Sequence, residues 1–368
     1  MSSLEPPADR SSSSSSRSRR RALRWLVPLG AAGVVAVLAS GVLSANANPN
    51  LPPRTAAQLL AAVGEAKVAG FSGTVVEKAS LGLPELPDLG GNGAASTSAL
   101  SLLTGSHTIR VWYAGQNKQR IALLDTLGET DLFRNGRSLW QWDSQNRTAR
   151  HTELPVGAQL PAPAALPSLT PDQAARQALA LIEPSTQVST DRAALVAGRS
   201  AYTLILTPKD GGSRVGQVRI SIDGKTSVPL AVQVYPRDSG RAALDISFTR
   251  FDSSVPSDDN FTWTPPAGAQ VRRSSGVPTA PEPGSVDGVR VLGTGWTSVL
   301  AVRGLPALGA AEGKQADPLL GALPPVSGSW GSGRLFESSL LTGLITTDGR
   351  AFLGAVDPDV LYRLAAAR

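Results

Sequence analysis

Side chains capable of catalysis or metal binding are sparse in this sequence of 368 residues. It contains two histidines, His107 and His151, and no cysteine. The patterns Gly-x-Ser-x-Gly, His-Glu-x-x-His and the phosphate-binding Walker loop do not occur in it. Each histidine lies at the start or end of a predicted strand, and two separate histidines do not make the ligand cluster that a metal requires. The sequence therefore predicts a protein that is not an enzyme and that holds no metal and no cofactor.

The strongest pattern in the chain is an apolar run near its N-terminus. Trp25 to Ala45 carries no charged residue, and it follows a cluster of arginines within residues 17–24. About 20 apolar residues are enough to cross a bilayer, and arginines on one flank hold that flank in the cytoplasm. Residues 25–45 are therefore predicted to enter the cytoplasmic membrane, with the bulk of the chain outside the cytoplasm.

Two interpretations of this membrane segment remain open. Its length exceeds the typical signal-peptide core of about 7–15 residues, which favours a retained single-pass anchor. Ala45-Asn46-Ala47 matches the A-x-A pattern that signal peptidase reads, which favours cleavage after Ala47 and secretion. The run from Ser18 to Arg24 also resembles a twin-arginine export signal, although Ala22 stands where Phe or Leu is usual. A lipoprotein signal is excluded because the chain has no cysteine.

The net charge of +6 is concentrated at the N-terminus. Residues 1–24 hold six arginines against Glu5 and Asp9, a balance of +4, which leaves +2 for the rest of the chain. Nucleic-acid binding needs a basic face on the folded domain, so no nucleic-acid partner is predicted. The Ser-, Arg- and Pro-rich composition of residues 1–24 predicts a disordered cytoplasmic tail.

Beyond residue 55 the sequence contains few predicted helices and many short strands. Thr55 is predicted to be the N-cap of a helix that extends to Val68, and a second helix is predicted to follow Thr170-Pro171. About ten strands are predicted between residues 71 and 250, and Asn135-Gly136 is typical of a tight hairpin turn. The small number of predicted helices relative to strands predicts a mainly β (α+β) fold, in which a large curved antiparallel sheet carries a few helices.

The chain is predicted to divide into five segments. They are the basic tail at 1–24, the membrane segment at 25–45, a large β-rich domain at 55–272, a linker at 273–286 and a small C-terminal strand/helix module at 287–368. Residues 80–105, rich in Gly, Pro, Ser and Leu, are predicted to form a long insertion in the large domain.

Several predicted strands place bulky apolar side chains on one face and polar ones, such as Arg110, Gln141 and Arg219, on the other. This alternation is consistent with an ordinary core covered by helices, and also with a concave apolar surface that holds an acyl chain. Few helices are predicted for so wide a sheet, which leaves room for a cavity. The candidate lipid-binding residues are Ile109, Val111, Trp140, Trp142, Val218, Ile220, Val232, Val234, Ile246 and Phe248.

The order of these elements resembles that of a known superfamily. The matching pieces are Phe71–Val75 after the first helix, Leu132–Trp142 around the Asn-Gly hairpin, Val228–Leu230, and Phe261–Gly268 with its Pro-Pro pair. In this order they resemble the LolA and LppX/LprG-type lipoprotein carriers, a superfamily that includes the sensor protein RseB. The resemblance covers about residues 55–272, and the chain resembles a membrane-anchored member of actinobacterial type. The membrane segment, the insertion and the C-terminal module depart from the carriers' pattern.

The resemblance implies an incomplete antiparallel β-barrel closed by helices, with acyl chains held in its apolar hollow. It thereby implies an extracytoplasmic, non-catalytic protein whose partners are the acyl chains of lipids or lipoproteins. A tethered protein cannot shuttle across a periplasm, so the alternative is an RseB-like envelope-stress sensor. Such a sensor would bind an anti-sigma factor or another membrane protein, such as a transporter. A hydrolase of the cell envelope is a third alternative, and the missing catalytic motifs argue against it.

Overall fold

A computed structural model describes the chain in several stretches. They are residues 51–66, 68–82, 104–125, 128–157, 184–275, 288–304, 321 and 323–367. The predicted tail at 1–24, the membrane segment at 25–45, most of the insertion at 80–105 and the helix after Thr170 lie outside these residues. Among the described residues, no helix has the length and apolar character needed to cross a membrane.

Most of the described chain forms one large sheet. Its strands are β1 (Phe71–Ser80), β2 (Thr104–Tyr113), β3 (Lys118–Leu124), β4 (Glu129–Asn135), β5 (Ser138–Asp143), β6 (Thr148–Glu153), β7 (Thr186–Val196), β8 (Arg199–Pro208), β9 (Val215–Asp223), β10 (Pro229–Pro236), β11 (Leu244–Asp252) and β12 (Gln270–Ser275). Their order across the sheet is β12-β6-β5-β4-β3-β2-β1-β11-β10-β9-β8-β7. Neighbouring strands are antiparallel except β12 and β6, which are parallel. The predicted mainly β fold with a large, open, curved antiparallel sheet is confirmed.

Helix α1 (Ala56–Gly64) precedes the sheet. Thr55 is its N-cap, as predicted: its side chain accepts a hydrogen bond from the Gln58 backbone, and the Gln58 side chain accepts one from the Thr55 N–H. This reciprocal pair satisfies two backbone donors at the start of the helix. The helix ends at Gly64, before the predicted Val68. Leu59, on its inner side, is fully buried.

Strand β12 was not predicted and extends into the segment expected to be a linker. All six of its residues are exposed, so its sequence carries no alternation of apolar and polar side chains. Backbone pairing with β6 holds the strand in place instead, beginning with the Gln270 N–H, which donates to the Arg147 carbonyl at 2.9 Å. A strand that is fixed only by a partner more than a hundred residues away leaves no local sequence signal.

The C-terminal residues form a smaller, six-stranded antiparallel sheet. Its strands are β13 (Val289–Leu292), β14 (Val299–Arg303), β15 (Pro325–Gly328), β16 (Gly331–Glu337), β17 (Thr342–Thr346) and β18 (Arg350–Gly354), in the order β13-β14-β18-β17-β16-β15. Helix α2 (Pro358–Ala366) follows Asp357 and buries Leu361 against Val299, Leu344 and Phe352. A hairpin turn at residues 347–349 joins β17 to β18. A turn at 338–341 separates β16 from β17.

The two sheets touch through that turn and through charged side chains. Leu340 is buried in the core of the large sheet, beside Leu59 of α1. Arg214, next to β9, forms an ion pair with Glu337 of β16 at 2.5 Å. Ser213 and Val356 form a backbone β-bridge between the same two regions. The small sheet is thus joined to the large one by apolar, ionic and backbone contacts.

Candidate functional site

Cross-strand partners show which side chains share a face of the large sheet, because paired residues in neighbouring strands point to the same side. Ile220 pairs with Val232, which pairs with Ile246. In β1, Val75 lies between Phe248 and Ile109. The side of the sheet defined by these residues is called the apolar face. Eight of the predicted lipid-binding residues lie on it: Ile109, Val111, Val218, Ile220, Val232, Val234, Ile246 and Phe248.

Trp140 and Trp142 lie on the opposite face, so the expectation that all ten candidates share one face is wrong. Val111 pairs with Ile121, Ile121 with Leu132, and Leu132 with Gln141. Gln141, expected on the polar side, is therefore on the apolar face, and the tryptophans on either side of it point away. The alternation of side chains within β5 shows that Gln141 and the two tryptophans lie on different faces. Only the register between β4 and β5 shows which of these faces is the apolar face.

The two tryptophans belong to an aromatic cluster on that opposite face. The Trp263 ring lies 5.4 Å from Phe133, 5.3 Å from Trp140 and 5.5 Å from Trp142, measured between ring centroids. Trp140 also stacks on His151 at 4.3 Å. Through Trp263, the segment after β11 packs against β4 and β5. The cluster therefore stabilises the fold on the side of the sheet away from the apolar face.

Burial divides the apolar face into two regions. Across β9 and β10, Val218 and Val232 pack in one core cluster with Leu59 of α1 and with Leu340. This part fits the ordinary-core interpretation of the alternation. Across β2, β3 and β4 the apolar face is less buried by the rest of the protein. The side chains that are only half-buried there are Ile109, Ile121, Leu123 and Leu132. The half-buried region across β2–β4 is the candidate site, and the lipid-binding role of the predicted residues stays a prediction.

Three apolar members of this site, Ile121, Leu123 and Leu132, were not predicted from the sequence. Arg120 and Arg134 interrupt the short strands that contain them, so their apolar character is weak on a first inspection. The period-2 alternation of β3 nevertheless separates Ile121 from Arg120, and this separation is the signal that could have found it.

A carboxyl group also lies on the apolar face. Glu77 of β1 is paired with Ile246 on one side and with His107 on the other, and only 7% of it is exposed. Burial raises the pKa of Glu77, and the nearby charge of His107 lowers it in part. The alternation Phe71, Val75, Glu77 places this residue inward, so the pattern could have identified it. A protonatable group at this position makes the polarity of the apolar face depend on pH.

The opposite face carries its own charged cluster. The Arg120 guanidinium lies between the rings of Trp112 and Phe133, 4.6 Å from each centroid. It donates a hydrogen bond to Asp131 at 2.9 Å. Burial, followed by the hydrogen bond with Glu129, raises the pKa of Asp131 to about 6, although Arg120 acts in the other direction. The cluster stacks a cation between aromatic rings, which is a stabilising arrangement.

The two histidines do not assemble a reactive centre in the described part of the chain. His151 Nε2 lies 2.9 Å from the Ser138 hydroxyl, and its ring stacks on Trp140. His107 is the cross-strand partner of Glu77 in β2. Among the described residues, no group of three or more His, Asp or Glu side chains could hold a metal ion.

Several solved structures are similar to this chain. No family model and no curated protein matches its sequence. A chain of the MucA/MucB complex from Pseudomonas aeruginosa is 17% identical, with a TM-score of 0.44, over 84% of this chain and 96% of that one. An uncharacterized conserved protein from Thermus thermophilus is 11% identical, with a TM-score of 0.33, over 58% and 96%.

A LolA superfamily protein from Nitrosomonas europaea is 13% identical, with a TM-score of 0.20, over 57% of this chain and 99% of that one. MucB and a LolA superfamily protein are thus among the solved structures that are similar to this chain.

Proposed function

We propose that this chain is a non-catalytic, extracytoplasmic binding protein for the acyl chains of lipids or lipoproteins. The acyl chain would lie on the apolar face across β2, β3 and β4. Residues 25–45 would anchor the protein in the cytoplasmic membrane, or would be removed on export. The family resemblance of the sequence supports this role, and the apolar side chains supply the binding energy without a specific polar contact.

One observation carries the proposal. Val111, Ile121 and Leu132 form a continuous cross-strand row, and the last two are half-buried rather than sealed in the core. Burial of apolar area contributes about 0.8 kcal/mol per methylene. A 16-carbon chain would then gain on the order of 10 kcal/mol before the cost of ordering it. This gain is sufficient for stable capture.

A second candidate is a sensor that binds a membrane protein, such as an anti-sigma factor or a transporter. The observation that favours it is the contact of the small sheet with the core of the large one through Leu340. Leu340 packs in the cluster that includes Val218 and Val232 on the apolar face. A ligand that displaces Leu340 would therefore change how the small sheet is held, and a partner could read this change.

Two variants of β3 test the lipid-binding role. Ile121 and Leu124 are both half-buried apolar residues of the same strand, but they pair toward opposite faces of the sheet. Ile121→Glu should abolish uptake of a palmitoyl lipid by the purified region from residue 47 to 368, because it places a charge beneath the acyl chain. Leu124→Glu is the matched control and should leave uptake unchanged. Normal uptake by both variants would contradict the proposal.

A further inference from the structure

The row of the apolar face that contains Val111 does not end at Leu132. Leu132 pairs with Gln141, Gln141 with Arg150, and Arg150 with Arg272 of the edge strand β12. All of these side chains share one face because each is the register partner of the next. The side chains of this row therefore change across the sheet. They are apolar up to Leu132, the next is the neutral amide of Gln141, and the last two are the arginines at the sheet edge.

The two arginines at the end of this row are exposed. Within the part of the chain that the structure describes, neither guanidinium takes part in an ion pair. The acidic residues nearby in sequence are engaged elsewhere: Asp143 accepts hydrogen bonds from Asn146, and Glu153 pairs with Arg137. Like charges directly opposite each other on neighbouring strands destabilise a sheet, and an anion bound between them would relieve this repulsion.

The local charge balance agrees with an anion site. Residues 137–153 and 270–275 together hold five arginines against two carboxylates, a balance of +3, although the chain beyond residue 24 has only +2 in total. Arg147 and Arg137 are held by backbone carbonyls, Arg147 by Ala267 and Arg137 by Leu154. Arg150 and Arg272 are thus placed to meet a ligand at the end of the apolar row.

We propose that Arg150 and Arg272 bind the phosphate of an anionic lipid whose acyl chain lies along Val111, Ile121 and Leu132. This inference rests on the proposed acyl-chain binding and specifies the class of lipid. Strands lie about 4.8 Å apart, so the three steps from Leu132 to Arg272 span about 14 Å. Arginine binds phosphate oxygens through a planar fork of donors, and Gln141 adds an amide beside that fork.

The test compares ligands that share a chain and differ in the headgroup. The full chain, kept in solution with an amphipathic polymer, is titrated with 16-carbon lysophosphatidic acid, with 16-carbon monoacylglycerol and with inorganic phosphate. We expect lysophosphatidic acid to bind about tenfold more tightly than monoacylglycerol, as a charge-assisted contact predicts. Arg150→Gln combined with Arg272→Gln should remove this preference and leave the affinity for monoacylglycerol unchanged.

Arg273→Gln is the matched control. Arg273 is exposed on the same strand, but it pairs with His151 on the opposite face, so its loss should keep the tenfold preference. A preference that survives the double substitution, or that Arg273→Gln removes equally, would overturn the headgroup site. Inorganic phosphate that binds as tightly as the lysolipid would overturn its link to the apolar row.

The remaining outcomes separate this inference from the proposed function. Equal binding of the neutral and anionic lipids by the unaltered chain would overturn the headgroup site alone and leave acyl-chain binding intact. If neither lipid binds, both proposals are wrong.

Discussion

The Arg237 guanidinium and the Asp357 carboxylate form a two-point ion pair, with hydrogen bonds of 3.0 and 3.1 Å. Arg237 follows β10 of the large sheet, and Asp357 precedes α2 of the small one. Arg237 also donates to the Ser213 carbonyl at 3.0 Å. One side chain therefore connects the two sheets and supports the loop before β9.

This ion pair should stabilise the contact between the sheets. Both side chains are about one-third exposed, so we expect a coupling energy of about 0.5–1 kcal/mol. A double-mutant cycle with Arg237→Ala and Asp357→Ala, followed by urea denaturation, measures it. The Arg137–Glu153 pair, which is about half exposed, is the control and should give less. No coupling between Arg237 and Asp357 would show that the pair does not hold the sheets together.

Trp142 should be dispensable for lipid uptake. It points away from the apolar face and packs against Trp263. Trp142→Ala should reduce the free energy of unfolding by about 2 kcal/mol through lost aromatic packing, and it should leave palmitoyl-lipid binding unchanged. Urea denaturation and lipid titration of the same sample test both effects. Loss of lipid binding in a folded variant would place the ligand on the opposite face.

Glu77 should make the folded protein less stable as the pH rises. Burial raises its pKa above the ordinary 4.5, so the folded state holds the proton more tightly than the unfolded chain does. The stability that it contributes is therefore greatest below pH 4.5 and is lost as the pH rises through the folded pKa. Glu77→Gln should become progressively more stable than the unaltered protein above pH 4.5, as measured by urea denaturation.

The side chains beside Glu77 are the same in the Glu77→Gln variant and in the unaltered protein. His107 faces it from β2 and is kept in both proteins, and Ile246 faces it from β11. Glu65→Gln, at an exposed carboxyl after α1, is the control variant. A constant difference between Glu77→Gln and the unaltered protein across the pH range would contradict the buried, protonatable carboxyl.

Asp131, which lies on the opposite face, should also make the folded protein less stable as the pH rises. Its pKa is raised from 3.8 to about 6, chiefly by burial, so its contribution to stability falls as the pH rises across that interval. Asp131→Asn should lack this part of the pH dependence, and its stability relative to the unaltered protein should rise between pH 3.8 and about 6. The exposed Asp259→Asn serves as control, and a flat difference in that interval would disprove the assignment.

The sequence predicted most strands of the large sheet because one side of each is apolar. The sequence predicts strands at Ser138–Asp143 and Pro229–Pro236, and β5 and β10 have these bounds. β12 was missed because both of its sides are polar and its position depends on backbone bonds to β6. The sequence predicts a strand only at residues 194–198, but β7 begins at Thr186. Its first residues are mostly polar and exposed at the sheet edge, so they carry no apolar pattern.

The candidate site was predicted only in part. Alternation placed Val111 and Ile109 together correctly, but it could not assign Trp140 and Trp142 to the right face without the register between β4 and β5. The sequence also did not predict that two arginines lie together at the end of the row. Arg150 and Arg272 are separated by more than a hundred residues and meet only through the parallel pairing of β12 with β6.

The most direct test of acyl-chain binding is the mass of the purified protein. The region from residue 47 to 368, expressed in bacteria, is analysed by native mass spectrometry and then by solvent extraction. We expect a co-purifying mass that corresponds to a phospholipid or another acylated species. A mass of the protein alone, with no uptake of added lipid, would contradict acyl-chain binding and would favour the sensor that binds a protein partner.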